Sequence, residues 1–380
     1  MTADEFAVPP ALSPGDRVAI VATSSGAAAQ FPHVYGLGLE RLREEFALEP
    51  VEYPTATADR ETLAADPEMR ARDVERAFRD PEISGVIATL GGDDGIRYLK
   101  HLDPDVLREN PTRFYGYSDN TVLASYLWQL GIVSYYGPCV MTEFAMQGSM
   151  YDYTVEYARR ALFEERLGEI EPAEFFSDHD LEWADPDNLD RRRETESSGG
   201  WRWAGGEALA SGASRDGEGR PRGAASGDGG ASDEPVTGRT WGGCLTVLDQ
   251  LLAADVAVPD PADLEGAILL LETSEVLPEP WYAKQLLVSA GERGLLERFD
   301  GVLVGRAKAR NTFEEPPADE RREYRRRLRE TMRDTIALYN PDAPIVFDVE
   351  FGHCAPTVPV PVGAEATIDP AAERIVFRGA

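Results

Sequence analysis

The sequence predicts an α/β protein built on a parallel sheet. Three short apolar runs, at residues 17–22, 85–90 and 114–117, each lead into a polar loop and then into a helical pattern. A repeated order of strand, loop and helix is typical of a parallel sheet, whose ligands bind in the crevice at the carboxyl ends of the strands. The length of 380 residues is sufficient for two or three domains with a sizeable core.

Strand and helix patterns alternate through the first half of the chain. Apolar runs bounded by turn residues indicate buried strands, and apolar side chains at helical spacing indicate helices that pack on the sheet. The elements predicted here are strand 17–22, helix 36–46, strand 51–53, helix 66–80, strand 85–90, strand 114–117 and helix 122–130.

The composition changes sharply after about Asp178. Residues 205–235 hold almost no large apolar side chain, so this segment cannot bury enough surface to offset its ordering entropy, and we expect a flexible surface insertion there. Regular patterns then return, predicting helix 245–252, strand 267–271, helix 281–290, strand 301–305, helix 318–338 and strand 344–347.

The charge balance argues against two classes of partner. With 38 basic and 68 acidic residues the chain carries a formal charge of −30, which would repel nucleic acid and anionic membranes alike. Its only lysines are Lys100, Lys284 and Lys308. Adaptation to high salt and an arginine-rich codon bias explain this preference for arginine equally well.

The sequence also predicts an unexported protein of the cytoplasm. Its three cysteines form neither a paired framework nor a zinc-ribbon spacing, and the acids in the loops show no metal-ligand spacing. The first twelve residues lack the pattern of a signal peptide, and no run of eighteen apolar residues occurs. We therefore expect neither a metal nor a membrane anchor.

Three chemically active residues each follow a predicted strand. Ser118 lies on a tight strand-to-helix turn, the geometry that exposes a nucleophile and points backbone N–H groups at a developing oxyanion. Glu272 and His353 stand where an acid could orient a general base. Each also has a simpler interpretation: a helix cap for Ser118, a solvent-facing acid for Glu272 and a hydrogen-bonded structural histidine for His353.

Short sequence blocks along nearly the whole chain carry a family resemblance. They are GDRVA at 15–19, ATSS at 22–25, GGDDG at 91–95, GYSDNT at 116–121, YGP at 136–138, GGCL at 242–245, LETSE at 271–275, GR at 305–306 and FGH at 351–353. In this order they resemble the serine LD-carboxypeptidases and the related microcin immunity peptidases, and are closest to the microcin-immunity branch.

The resemblance implies a Ser-His-Glu triad between two domains. Ser118 would be the nucleophile, His353 the general base and Glu272 the acid that orients it. The implied fold places Ser118 in an N-terminal Rossmann-like or flavodoxin-like domain, residues 1–165, and the other two residues in a C-terminal swivelling α/β domain, residues 166–380. A homodimer is also implied.

The resemblance further implies an oxyanion hole built from the backbone N–H groups of Asp119, Gly92 and Asp93. The glycines of this loop do not follow the G-x-G-x-x-G spacing, so we interpret them as allowing close backbone approach to an acyl group rather than as a phosphate cradle.

Three tryptophans, Trp183, Trp201 and Trp203, are similar to a loop that in the microcin-immunity branch covers the substrate and stacks on its base. The alternative for Trp201 and Trp203 is a strand edge whose aromatic side chains pack on the second domain. The arginines at 191–193 could supply local cations for an anionic substrate.

The expected activity is that of a serine peptidase or amidase that needs no cofactor. It would hydrolyse an amide bond in small peptides or in aminoacyl nucleotides of the microcin type. One alternative keeps the triad but takes peptidoglycan tetrapeptides as LD-carboxypeptidase substrates. Another is a non-catalytic protein that binds a small molecule in the crevice.

Overall fold

Two β-sheets organise the computed structural model, which describes residues 6–204 and 234–379. Nearly all of the insertion predicted at 205–235 lies outside the described residues. The architecture is an α/β fold with a mostly parallel N-terminal sheet and a mixed C-terminal sheet. In the described ranges no helix is long and apolar enough to span a membrane.

The N-terminal sheet has six strands, and its five strands from the first half of the chain run parallel. Their order is β2-β1-β3-β4-β5. This is a doubly wound order: after β2 is added on one side of β1, the later strands are added on the other side, beginning with β3. The strands are β1 Arg17–Val21, β2 Glu49–Glu52, β3 Ile83–Ala88, β4 Arg113–Gly116 and β5 Ser134–Tyr136.

Helices that pack on this sheet begin at points marked by the sequence. Asp66 and Asp103 each precede a proline, and each carboxylate accepts a hydrogen bond from a backbone N–H of the first helical turn. This combination of a cap and a proline at the first position favours helix initiation. The helices are α1 Ala27–Gln30, α2 Pro32–Glu44, α3 Arg60–Ala65, α4 Pro67–Arg79, α5 Ile96–Leu99, α6 Pro104–Glu109, α7 Thr121–Gln129 and α8 Asp152–Phe163.

The C-terminal sheet has eight strands, of which the central four are parallel and the outer ones antiparallel. Its order is β6 Gly168–Ile170, β16 Arg374–Phe377, β15 Glu365–Asp369, β10 Val236–Cys244, β11 Ala267–Glu272, β12 Phe299–Gly305, β13 Ile345–Val349 and β9 Arg202–Ala204. A two-stranded sheet joins β7 Phe175–Phe176 to β8 Glu196–Ser197, and the helices are α9 Leu245–Ala254, α10 Pro280–Glu292 and α11 Ala318–Tyr339.

The two halves of the chain meet closely. Strand β14, Val360–Val362, leaves the C-terminal half and pairs antiparallel with β5, so it completes the N-terminal sheet. Gly243 on β10 permits a second contact between the halves, in which β10 packs against Thr121 and Tyr136. A Cβ at position 243 would lie 2.7 Å from Thr121 Oγ1 and 2.8 Å from the Tyr136 ring. The carboxyl ends of β4 and β11 therefore lie close together at the contact between the two halves. The proposed boundary near residue 165 stays a prediction.

Candidate active site

Ser118 lies on a strained turn between β4 and α7. Its φ of +62° places a non-glycine residue in the left-handed region, which is uncommon and concentrated at functional sites. Gly91 makes room for it, since a Cβ at Gly91 would come within 2.7 Å of Ser118 Cβ and 2.9 Å of Oγ. The glycine-rich loop therefore approaches the serine closely, and the interpretation that it allows close approach to an acyl group stays a prediction.

Asn120, which stands where a nucleophile elbow has its second glycine, ties three loops together. Its Nδ2 donates to the carbonyls of Tyr117 at 3.0 Å and Leu90 at 3.2 Å. Its Oδ1 accepts from the hydroxyl of Thr23 at 2.5 Å. Because these partners follow β4, β3 and β1, the departure from the usual motif helps to fix the serine turn.

His353 and Glu272 form a hydrogen-bonded pair. His353 Nδ1 lies 2.7 Å from Glu272 Oε2, and the glutamate is fully buried at the carboxyl end of β11. Gly352, with φ +95°, brings the histidine turn against this carboxylate, because a Cβ there would lie 2.5 Å from Oε2. The acid therefore engages Nδ1 of the imidazole and leaves Nε2 as the nitrogen available to other partners.

Tyr136 and Thr121 connect this pair to the serine turn. The Tyr136 hydroxyl donates to Glu272 Oε1 at 2.6 Å and accepts from the Ser118 N–H at 3.2 Å. The Thr121 hydroxyl donates to the Ser118 carbonyl at 2.6 Å and accepts from the Cys244 N–H at 3.1 Å. Both bridges cross from one domain to the other, so the backbone of Ser118 is positioned relative to Glu272.

The electrostatic environment favours the protonated form of His353. Burial lowers the pKa of this imidazole, but the charge and hydrogen bond of Glu272, together with the charge of Glu275, outweigh burial and hold the pKa above its ordinary value. Lys308 acts in the opposite direction. Burial also raises the pKa of Tyr136 well above its ordinary value, so its hydroxyl stays a donor to Glu272.

The second nitrogen of His353 faces another carboxylate. Nε2 lies 3.2 Å from Glu275 Oε2, in the loop that follows β11. The hydrogen bonds of residues 6–204 and 234–379 include none between Ser118 Oγ and His353. Catalytic hydrogen bonds are often long in a protein without substrate, so this geometry fits a resting arrangement.

The predicted oxyanion groups surround the serine turn. The N–H of Asp93 donates to Ser24 Oγ at 3.1 Å, whereas the hydrogen bonds of the described chain include none from the N–H of Gly92 or Asp119. The Asp119 carboxylate instead accepts from the Gly95 N–H at 2.8 Å, and burial raises the pKa of this carboxyl. An oxyanion role for these three backbone groups stays a prediction.

Comparison with protein families shows the family to which this chain belongs. Residues 18–137 match the LD-carboxypeptidase N-terminal domain, and residues 237–368 match the LD-carboxypeptidase C-terminal domain. The chain belongs to the LD-carboxypeptidase family. It is a serine hydrolase of that family, and the two matched segments contain Ser118 on one side and Glu272 with His353 on the other.

Relatives of this chain carry names of two kinds, one for murein peptides and one for immunity to a microcin. "Probable murein peptide carboxypeptidase" of Bacillus subtilis is 24% identical over 97% of this chain and 93% of its own length. The microcin C7 self-immunity protein MccF of Escherichia coli is 30% identical over 107 residues, which cover 27% of this chain and 31% of MccF. "Putative carboxypeptidase YocD" of B. subtilis is likewise matched over only 31% of its length.

Solved structures of LD-carboxypeptidase relatives share the fold along the chain. An MccF-like protein from Streptococcus pneumoniae in complex with AMP has a TM-score of 0.80 and 27% identity, and covers 96% of this chain and 99% of its own. MccF in complex with glutamyl sulfamoyl guanosine has a TM-score of 0.74 and 19% identity over 97% of this chain and 98% of its own.

The three predicted substrate-binding tryptophans of this family member do not form one cluster. Trp183 packs its ring edge against Phe31, with 5.7 Å between ring centroids. Trp201 donates from Nε1 to Glu350 at 2.6 Å, and Trp203 lies on β9, the edge strand of the C-terminal sheet. Trp203 thus lies on the kind of strand edge that the sequence allowed as the alternative, whereas Trp201 directly precedes that strand. A binding role for all three stays a prediction.

Sequence reasoning missed a charged cluster beside the histidine. Asp180 pairs with the buried amine of Lys308 at 2.5 Å and with Arg193 at 3.4 Å. Burial alone would raise the pKa of Asp180, but the charges of Lys308 and Arg193 outweigh burial and hold the pKa below its ordinary value. Of the three residues in this cluster, the sequence suggested a role only for Arg193, as one of the arginines at 191–193. Within the described residues no group of acids, cysteines and histidines has the arrangement of a metal site.

Proposed function

We propose that this serine hydrolase cleaves an amide bond through an acyl-enzyme on Ser118, with His353 as general base and Glu272 as the acid that orients it. The observation that supports this most directly is the 2.7 Å hydrogen bond between His353 Nδ1 and Glu272, next to a serine held at positive φ. A strained serine on a strand-to-helix turn and an acid-oriented imidazole are the two parts that nucleophilic catalysis requires.

The proposed reaction uses one proton acceptor throughout. His353 Nε2 accepts the Ser118 hydroxyl proton as Oγ bonds to the amide carbonyl carbon, giving a tetrahedral oxyanion. The C–N bond then breaks, and the leaving nitrogen takes the proton from Nε2. A water molecule attacks the ester, gives its proton to Nε2 and releases the acid, and Ser118 regains its proton.

We favour aminoacyl nucleotides, or small peptides of similar size, as substrates. The relatives support this choice, because the S. pneumoniae protein was solved with AMP and MccF with a glutamyl sulfamoyl guanosine. A peptidoglycan tetrapeptide is the second candidate, because a relative that spans 97% of this chain is named for murein peptides.

Ser118→Ala tests the mechanism, with an aminoacyl-sulfamoyl adenosine and a muropeptide tetrapeptide as substrates and mass detection of the products. We expect the wild-type protein to turn over the first substrate faster, and the variant to lose about 10³-fold or more in kcat. Ser125→Ala is the matched control, since the hydroxyl of this buried serine on α7 has no hydrogen-bond partner among residues 6–204 and 234–379. Hydrolysis by Ser118→Ala at a near wild-type rate would refute the mechanism.

A fluorophosphonate probe separates an enzyme from a non-catalytic binding protein. If Ser118 is an activated nucleophile, the probe labels wild-type protein and Ser125→Ala but not Ser118→Ala. Absence of labelling in the wild-type protein, together with tight binding of the adenosine compound, would instead support the binding protein.

A further inference from the structure

Glu275 makes a contact that the proposed reaction does not use. Its Oε2 lies 3.2 Å from His353 Nε2, the nitrogen that would accept the serine proton. The Glu275 side chain is 54% exposed to solvent. Its backbone carbonyl accepts from Asn311 Nδ2 at 2.8 Å, which ties this part of the loop to the segment that follows β12.

The two carboxylates beside the imidazole together favour its protonated form. A carboxylate only accepts hydrogen bonds, and a neutral imidazole has one N–H and one lone pair. Nδ1 of His353 is hydrogen-bonded to Glu272 and Nε2 lies within ion-pair distance of Glu275, so both contacts are favourable at once only when both nitrogens carry a proton. An imidazolium of this kind has no lone pair with which to accept the proton of Ser118.

We propose that Glu275 is a positioning residue that holds protonated His353 in a resting orientation and releases it when Nε2 loses its proton. This inference rests on the proposed function. The proton leaves Nε2 for solvent, the lone pair that remains repels the Glu275 carboxylate, and Nδ1 keeps its N–H and its hydrogen bond to Glu272. The imidazole is then free to accept from Ser118 Oγ.

The other charged groups around His353 do not make this contact. Lys308 acts on the imidazole through its charge and lowers the pKa, whereas Glu272 and Glu275 raise it. Tyr117 packs its ring edge on the imidazole, with 5.0 Å between ring centroids. The groups that face His353 from the neighbouring elements are Glu272, Glu275, Lys308, Glu143, Asp180 and Tyr117.

Glu275→Gln tests the inference, because it removes the charge and keeps the size of the side chain. The pKa of His353 is measured by NMR titration of the imidazole signals. The chain has four histidines, and the signal that disappears in His353→Gln belongs to His353. We expect a lower pKa in Glu275→Gln than in wild type. Glu279→Gln, an exposed acid of the same loop, is the matched control and should leave this pKa unchanged.

The same variants give a second readout in the pH profile of kcat/KM. The acid limb should move to lower pH in Glu275→Gln and raise kcat/KM there by about two- to fivefold, the effect of removing a partly exposed ion pair. Glu275→Asp keeps the charge and should retain more of the wild-type pKa.

An unchanged His353 pKa in Glu275→Gln, or equal shifts in Glu275→Gln and Glu279→Gln, would overturn the inference. The NMR titration does not require hydrolysis. A failure of this inference is therefore distinguishable from a failure of the proposed function, which Ser118→Ala tests.

Discussion

Tyr136 is the single side chain that contacts both the backbone of Ser118 and the carboxylate of Glu272 among the described hydrogen bonds. Its hydroxyl is buried and its acceptor is a buried acid, the kind of hydrogen bond whose loss leaves a polar group without a partner. Without it, Glu272 would be held by His353 alone, and the imidazole would lose part of its orientation.

Tyr136→Phe should therefore reduce both stability and turnover. We expect the free energy of unfolding to fall by about 2 kcal/mol and kcat/KM to fall about tenfold, which corresponds to about 1.4 kcal/mol. Urea unfolding and steady-state kinetics measure the two effects. Tyr135→Phe is the control, because the hydroxyl of this buried tyrosine has no hydrogen-bond partner in the part of the chain that the structure describes. Equal effects in both variants would show that the bridge to Glu272 is unimportant.

The sequence predicted the candidate site residues whose position depends on a neighbouring strand, and missed those whose role depends on distant partners. Ser118, Glu272 and His353 stand at the ends of apolar runs, so their position relative to a sheet edge is encoded locally. Glu275, Tyr136 and the Asp180–Lys308 pair acquire their roles from partners far along the chain or across the domain interface. No local pattern carries that information.

At the level of elements, the sequence predicted several long apolar strands well, but it missed the internal strands β5, β10, β15 and β16 and most of the edge strands. Strands β3, β11 and β12 are apolar runs of six or seven residues with two neighbours in the sheet. By contrast β6, β9 and β14 have three residues each, and their pairing depends on partners remote in the chain. Short strands of this type have too few residues to show a periodic pattern.

The segment that carries Trp183 and Trp201 is attached to the C-terminal sheet by buried charges. Phe176 of β7 lies between the guanidinium groups of Arg306 and Arg325, which are 4.7 and 4.8 Å from its ring centroid. Asp178, fully buried, accepts from Arg310 Nε at 2.9 Å and also pairs with Arg325. Removal of this acid would leave two buried cations without a shared partner.

Asp178→Ala should therefore destabilise the fold mainly through buried Arg325, which loses its carboxylate partner, because Arg310 keeps its ion pairs with Glu194 and Glu315. We expect the free energy of unfolding to fall by about 3–5 kcal/mol, measured by chemical denaturation. Glu330→Ala is the control: it removes an exposed acid that pairs with Arg326 on the surface of α11, and stability should change little. A small effect of Asp178→Ala would mean that the segment is held by its aromatic packing instead.

At the scale of the whole molecule, the two domains are joined by more than the candidate site. Strand β14 pairs with β5, and Trp128 of α7 donates from Nε1 to the carbonyl of Thr240 on β10 at 3.1 Å. These contacts fix the relative position of Ser118 and Glu272, which belong to different sheets. The family resemblance implied two α/β domains, but neither it nor the alternation of strands and helices revealed that a C-terminal strand completes the N-terminal sheet.

The net charge of −30 also acts on the whole molecule. Repulsion among like charges destabilises a compact state, and salt screens it within about 10 Å at 0.1 M and about 3 Å at 1 M. We therefore expect the thermal midpoint at pH 7.5 to rise as NaCl increases over this range, as measured by calorimetry. At pH 5.5 the protein is closer to its pI of about 4.5 and carries less net charge, so the rise should be smaller. A midpoint that falls with salt at pH 7.5 would show instead that the surface ion pairs, which salt also weakens, contribute more to stability than the net repulsion costs.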